Sequence, residues 1–458
     1  MRFQVRAATI LAAAAAVAAL AVLAASATAG PSGRWTQITH AHNGAKSNLG
    51  LARAKNGTLH VFWAGPVRGP FSAISDTPIS PAGGVGKPQA VVAGWNSVQP
   101  PAAVAAPDGS IHVVISGQKV NSNTDPYAGL NEAVGPGTWR LGARAFGKYQ
   151  ITVPSNADVA TAALESGQLV SVWRSAVTLL FQTGVDPSTQ PQDITPQGLA
   201  ESPVIAVDQG SGEAIIAFRN ASSGADFFRR VAPSVGALQA MPQAKTGAPS
   251  IAARSSGGVY SAYALDGTNV RLLRFGGQAK SVPVPKGARV LTAGVAAGPD
   301  GRLWVFYGNE QTTYVTRTSK AVAGFEPVQT LKSPPGTVQY FRLEGEGSAG
   351  PLDLFADVTV DGKTKDGSYH QQVHPLLSLR ASKKLVKSKQ GEVTGVRVTV
   401  RVTDAGDAVQ GARVTGLPGG PKTTNAGGSI VVTARPGKSL ALTATKAGYV
   451  AAKGRLSL

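Results

Sequence analysis

Six stretches of this chain share one grammar: a run of small apolar residues, a turn built on glycine, and a second apolar run that commonly ends in aromatics. They are LGLARAKNGTLHVFW (residues 49–63), AAVAAPDGSIHVVIS (102–116), VATAALESGQLVSVW (159–173), PVIAVDQGSGEAIIAF (203–218), PSIAARSSGGVYSAY (249–263) and AGVAAGPDGRLWVFY (293–307). A degenerate seventh copy runs over residues 337–360, where TVQYFRLEG and LDLFADVTV flank a Gly-rich turn. The turn glycines Gly57, Gly109, Gly167, Gly212, Gly258 and Gly301 follow one another at steps of 52, 58, 45, 46 and 43 residues. A hairpin unit that recurs at such a period reads as one blade of a β-propeller. The chain is therefore read as all-β, with seven blades over residues 33 to about 374, and six as the competing count because the last copy is weak.

The 458 residues include 55 Gly and 30 Pro with only 15% charged residues, which suits many tight turns. The N-terminus reads differently: Arg2 and Arg6 precede an apolar run over residues 7–25, and Ala27-Thr28-Ala29 supplies a small-x-small cleavage pattern. Residues 1–29 are expected to be a signal peptide, so the protein is expected to be secreted, extracellular or associated with the cell wall. No later stretch is apolar for long enough to span a bilayer as a helix. The chain has no cysteine, which excludes disulfides and thiol chemistry and leaves stability to burial in a large core.

GRWTQITH (residues 33–40) is strand-like and has no hairpin partner of its own. It is expected to pair with the last blade, so that no sheet edge stays open. Each unit then reads as four strands, for example residues 203–207, 213–218 and 226–231 followed by a short outer strand. The second unit carries an insertion, SGQKVNSNTDPYAG (116–129). With Ser202-Pro203 opening a strand, Asp300-Gly301 at a turn and Phe218-Arg219-Asn220 closing a strand, the repeat resembles the secreted seven-bladed lectin-like propellers and, more distantly, the sialidase-like superfamily. That resemblance concerns the scaffold.

Beyond residue 374 the pattern changes. VRVTVRVT (396–403) alternates valine with Arg or Thr, as a strand with one buried and one solvated face does. G-A-x-V at 411–414, T-N-x-G at 424–427 and A-x-K-x-G-Y at 444–449 occur in that order. They resemble bacterial Ig-like, carboxypeptidase-regulatory-like modules. Residues 30–374 are thus read as the propeller, 375–395 as a basic connector with the first sandwich strand, and 396–458 as an Ig-like β-sandwich. The final strand has no Asn, so no Lys-Asn isopeptide cross-link is expected. From Arg380 onward there are 14 Lys and Arg against Glu392, Asp404 and Asp407, a net of +11 within a whole-chain formal charge of +19. Such a field attracts polyanions. Lys383, Lys384, Lys387 and Lys389 form its densest patch, expected in the connector, with anionic cell-wall polymers as natural partners and nucleic acid a less natural one.

Few residues look chemical. Asp108 and Asp300 belong to tight turns. His60 and His112 stand three residues after a turn glycine, where another unit has Trp304. His40 and His42 lack the third ligand a metal needs, so neither metal nor cofactor is expected. Glu344 and Glu346 are placed in a turn on the far face, while Asp357 and Asp361 lie close together and unsupported, a poor pair for a glycosidase. The S-x-D-x-G-x-x-W box is absent; Arg174, Arg219 and Arg289 keep a sialidase-like reading open. The loop face offers Trp63, Lys119, Asn121, Asn123, Asp125, Tyr127, Trp173, Arg174, Arg219, Asn220, Asn309 and Glu310, a mixture of flat aromatics, amides and charges that suits sugars. The expected function is non-catalytic binding of a glycan or an extracellular protein, with a sialidase-like hydrolase or lyase and a structural adhesion or spacer protein as alternatives.

Overall fold

The structure, a computed structural model, describes residues 33–39, 48–66, 72–120, 125, 127–142, 158–175, 178–186, 188–195, 200–241, 248–361 and 365–458. The expected signal peptide, His40, His42, Asn121 and Asn123 lie outside these residues. Two compact units divide the described chain, Gly33–Val373 and His374–Leu458.

The first unit carries seven antiparallel sheets among the described residues. Sheet 1 contains Gly50–Arg53, Leu59–Pro66, Ser72–Ile79 and Gln89–Trp95; sheet 2 contains Ala102–Ala105, Ile111–Gln118, Gly129–Gly135 and Arg140–Gly142, with Ser97–Val98 added beside Ile111–Gln118. Sheet 3 contains Val159–Ala163, Leu169–Ser175, Thr178–Thr183 and Gln192–Asp193; sheet 4 contains Ala200–Val207, Ala214–Asn220, Asp226–Ala232 and Leu238–Ala240. Sheet 5 is built from Ile251–Ala253, Val259–Ala264, Val270–Arg274 and Ala279–Val282, and sheet 6 from Thr292–Ala297, Leu303–Gly308, Thr312–Arg317 and Gln329–Lys332. Sheet 7 joins Gln339–Glu346, Leu352–Thr359 and Gly367–Val373 to the N-terminal Thr36–Gln37, with Thr36 opposite His370 and Gln37 opposite Tyr369.

Each sequence repeat supplies the first two strands of one sheet. The glycine between them is needed for its backbone: the six turn glycines have φ from 71° to 97°, where a Cβ is strained. The second strand reads as an apolar run because both of its faces are covered. In sheet 4, Ile216 and Phe218 pack with Val172 and Phe181 of sheet 3, while Ile215 and Ala217 pack with Tyr263 and Leu273 of sheet 5. Every pair of consecutive sheets shares such a cluster. The last one joins Ile38 and Phe355 of the sheet 7 region to Leu59, Val61 and Ile79 of sheet 1. Sheets packed face to face in a series that returns to its start make a β-propeller arrangement.

Polar links add to the seam between sheets 7 and 1. Arg53 of sheet 1 pairs with Glu346 and, at 2.6 Å, with Asp353 of sheet 7. Asp353 also lies 2.9 Å from His370 Nε2. Burial pushes the Asp353 carboxyl up, but His370 and Arg53 together outweigh it and hold the group below its ordinary range.

Sheet 4 departs from the sequence expectation at one place. Its first strand begins at Ala200, before Ser202-Pro203, and a register shift between Glu201 and Val204 leaves Ser202 at φ 50°. Its N–H donates to Asp158 Oδ2 at 3.2 Å, which fixes this bulge against the preceding sheet.

In the second unit, Ser378–Lys387, Val393–Asp404 and Ser429–Ala434 form one sheet with Asp407–Ala408 at its end, and Lys422–Thr423, Arg413–Thr415, Ser439–Thr445 and Ala452–Ser457 form the other. Val396, Val398, Val400 and Val402 of the first sheet share a core with Val414, Leu442 and Ala444 of the second. The short motifs now have mechanical roles. Thr424 Oγ1 donates to Val409 O and accepts from Ala412 N, Asn425 Oδ1 accepts from Ser429 N, and Tyr449 donates to the buried Asp404. One expectation is corrected here: Lys383, Lys384 and Lys387 are not in a connector but in the strand Ser378–Lys387, paired with Val393–Asp404, and only Lys389 lies past its end.

Candidate binding site

The first strands of all seven sheets line one central cavity of about 250 Å³. Small side chains such as Gly50, Ala103 and Ala160 bring these strands close, and the wall is about equally polar and apolar, with Thr161, Ser250 and Thr292 among the lining residues. Its charged groups lie where sheets 7 and 1 meet. Arg342 Nε is 2.8 Å from Glu344 Oε1, and Glu344 Oε2 accepts the Leu49 N–H at 3.0 Å. Arg342 also donates to the Asn48 side-chain oxygen. Glu344 was expected in a far-face turn. It lies instead within Gln339–Glu346, because that strand runs past Gly345 before the chain turns.

Burial pushes the Glu344 carboxyl up against the opposing pull of Arg342 and the Leu49 N–H, with Asp357 pushing in the same direction as burial. Asp357 stands opposite Arg342 in the strand register and is 6% exposed. Burial pushes it up to about 7 despite Arg342. Sheet 4 also sets an arginine between two acids, here on three strands: Glu201 stands opposite Arg219 and Arg219 opposite Asp226, and burial pushes Asp226 up to about 7 against Arg219.

The residues chosen from the sequence have mostly local roles. Lys119 stands 4.9 Å from the centre of the Tyr127 ring, which leans on Trp95 at 5.7 Å. Asp125 is buried and accepts the Val120 and Tyr127 N–H groups, each at 2.9 Å, so it organises its loop. Trp63 is half-buried and donates to Thr77 Oγ1 at 3.0 Å. Trp173 is 1% exposed and packs between sheets 2 and 3 with Val114, Leu130 and Val159, so its ring presents no face to a sugar. Arg174 is half-buried beside Asp158, whose carbonyl accepts its N–H, and Arg219 lies 4.0 Å from Glu201. Asn220 Oδ1 takes the Ser222 and Ser223 N–H groups, and Asn309 Oδ1 those of Gln311 and Thr312, so both cap the loops that follow. Glu310 is half-buried next to the second cap. The structure thus brings together Lys119, Asp125 and Tyr127 and ties the other described residues into their own sheets.

The turn of sheet 2 contains an arrangement the sequence did not suggest. Ser110 Oγ lies 2.8 Å from His112 Nε2, and His112 Nδ1 lies 2.6 Å from Glu132 Oε1, the order of a nucleophile, a base and an orienting carboxylate. The same hydroxyl donates to Asp108 Oδ1 at 2.6 Å. The Ser110 and Gly109 N–H groups are given to Asp108 Oδ1 and Ala106 O, which leaves neither to hold an oxyanion. This set is a clasp on a tight turn, and sheet 1 has a counterpart in His60 and Asp76, 2.8 Å apart. Among the described residues no group of three or more His, Asp or Glu is placed to hold a metal ion.

No protein-family model and no curated protein matches the chain. Solved structures do. A protein of unknown function from Dyadobacter fermentans is 10% identical, with 75% of this chain and 98% of that one covered, at a TM-score of 0.42. YCF48 from Cyanidioschyzon merolae is 11% identical over 75% of this chain and 99% of its own, at 0.41. BBS1N, solved in complex with ARL6DN, is 11% identical over 75% and 97%, at 0.40. The fold itself rests on the sheet order and the shared clusters given above.

Proposed function

We propose that this chain is a secreted, non-catalytic binding protein: a closed seven-bladed propeller that receives a glycan end or a protruding protein group at its central cavity, followed by a basic Ig-like module. The observation that carries this reading is the cavity itself. Its volume of about 250 Å³ is below that of most small-molecule sites, which suits one terminal group of a larger ligand. Arg342, Asn48, Glu344, Thr161, Ser250 and Thr292 stand among small apolar residues in its wall, a mixture that fixes the orientation of a sugar or of a protruding polar side chain. The seven-blade count is supported by seven sheets whose clusters form an unbroken series, and the likeness to lectin-like and sialidase-like propellers by the repeat motifs. The module's net of +11 gives it a general attraction for anionic extracellular material, with the cell wall as its natural setting.

One observation favours a hydrolase: Glu344 and Asp357, both pushed up by burial, stand beside Arg342. A glycan array with the full chain, read beside turnover of fluorogenic glycosides, separates the readings. Binding without turnover is expected. Turnover lost in Asp357→Asn would make the protein an enzyme, and neither binding nor turnover would leave the spacer reading.

A further inference from the structure

The strand register of the second unit places like charges directly against one another. Arg380 stands opposite Arg401, and Lys384 opposite Arg397. All four are exposed, and among the described residues none of them is in an ion pair. They share the solvent face of the sheet, since the alternate residues Val396, Val398, Val400 and Val402 point into the core. Directly opposed residues stand about 5 Å apart, well inside the screening length of about 8 Å at physiological salt. Such pairs destabilise a sheet, so on grounds of folding alone this face is a cost.

The same face carries other chemistry. Ser382 and Thr399 sit between the two charged pairs, and Ser429 and Thr433 stand beside Arg401 and Arg397 on the next strand. Val431, 50% exposed, lies opposite Thr399. The result is a flat surface with two parallel cationic rows, each spanning about 14 Å along its strand, with hydroxyls and one apolar spot between and beside them.

We infer that this face is a docking surface for an extended acidic polysaccharide, an inference that rests on the reading of the module as anion-attracting. Carboxylates or sulfates on successive sugars meet the guanidinium and ammonium groups, which bind such oxyanions through charge-assisted hydrogen bonds. The hydroxyls meet sugar hydroxyls, and Val431 meets ring C–H surface. Single-stranded nucleic acid fits less well, because its binding relies on aromatic stacking platforms and this face has no aromatic residue. The Lys383, Lys387 and Lys389 side chains add general charge but no paired rows.

The test is binding of the full chain to polygalacturonate in about 0.1 M salt, where screening is moderate, with neutral dextran and a single-stranded oligonucleotide as comparisons. One variant carries R380Q, K384Q, R397Q and R401Q; a charge-matched control carries K383Q, K387Q, K389Q and K453Q. The face variant should bind at least about tenfold more weakly than the parent, and the control less than about threefold more weakly. Removing the opposed charges should leave the melting temperature of the face variant unchanged or higher, which separates lost binding from lost folding. Equal losses in both variants would overturn the face and leave general charge attraction standing. A parent that does not bind polygalacturonate would overturn both, and a preference for the oligonucleotide would overturn the polysaccharide as occupant.

Discussion

The two units solve the same problem, burying β-strands, with different numbers of neighbours. In the propeller each sheet has a sheet on either side, so a strand such as Ala214–Asn220 is apolar at consecutive positions, Ile215 serving one neighbour and Ile216 the other. In the second unit a sheet has one partner, so Val393–Asp404 alternates buried valines with exposed Arg397 and Arg401. The consequence reaches function. A strand with both faces covered has no room for charge except at its ends, which is where Arg219 and Asp357 lie. A strand with one open face can carry a row of charge along its whole length. Room for polar and charged groups in the first unit is thereby confined to strand ends and the central cavity, and in the second it is spread over a surface.

The sharpest way to break this comparison is to place a lysine at successive positions. Ile215→Lys and Ile216→Lys should both cost more than about 4 kcal/mol, because each buries an unpaired charge. In the second unit Val400→Lys should cost as much, whereas Thr399→Lys should stay within about 0.5 kcal/mol. Denaturant titration of the four variants checks this, and a tolerated Ile215→Lys would mean that one propeller face is open.

A smaller effect is expected at the seam between sheets 7 and 1. Arg53→Ala leaves Glu346 without its cation and Asp353 with His370 as its ion-pair partner, and should cost about 3–5 kcal/mol by the same titration. A loss within about 0.5 kcal/mol, as at an ordinary surface site, would mean that this network does not help to hold the seam.

Next comes the pH response of the strand-end carboxyls. Asp226 and Asp357 bind a proton more tightly folded than unfolded, with folded values of about 7. The folded state therefore holds more protons between the ordinary carboxylate range and pH 7, and the stability these groups lend is complete at low pH and lost as pH rises through about 7. Asp226→Asn and Asp357→Asn should each raise stability at pH 8 by on the order of 2 kcal/mol and change little at pH 4. Thermal melts at the two pH values measure it, and an equal effect at both would contradict the assignment.

The smallest effect belongs to the open face. Arg397→Glu turns the pair with Lys384 into an attractive one and should add about 0.2–1 kcal/mol, while weakening binding of polygalacturonate. Stability and binding moving in the same direction would separate the charged rows from any docking role.

The strands of the propeller were legible because glycine turns punctuate them, and the orphan GRWTQITH pointed to the pairing of Thr36–Gln37 with the last sheet. The polar residues were harder to place. Asn220 and Asn309 looked like ligand groups, yet an Asn closing a strand two or three residues before Ser or Thr is also a capping signal, and that is the role each has. Trp173 was misplaced for the reason the strand was found: an aromatic at the end of a doubly covered strand packs between sheets. The contacts of Arg342 with Asn48 and of Glu344 with Leu49, and the opposition of Arg380 to Arg401 and of Lys384 to Arg397, were not legible. Each depends on strand register, which brings together residues far apart in sequence and leaves no local pattern.

The central claim, that the first unit binds its ligand at the cavity lined by its seven sheets, is tested most directly by titrating the full chain and Ala160→Phe with the strongest glycan-array ligand. Ala160 is half-buried on the cavity wall and packs at the edge of the cluster between sheets 3 and 4, so a larger side chain there blocks the cavity and the melting temperature checks that this seam still holds. The account predicts saturable binding by the parent and at least about tenfold weaker binding by Ala160→Phe, with similar melting temperatures. Equal affinity of the two proteins for that ligand would contradict it.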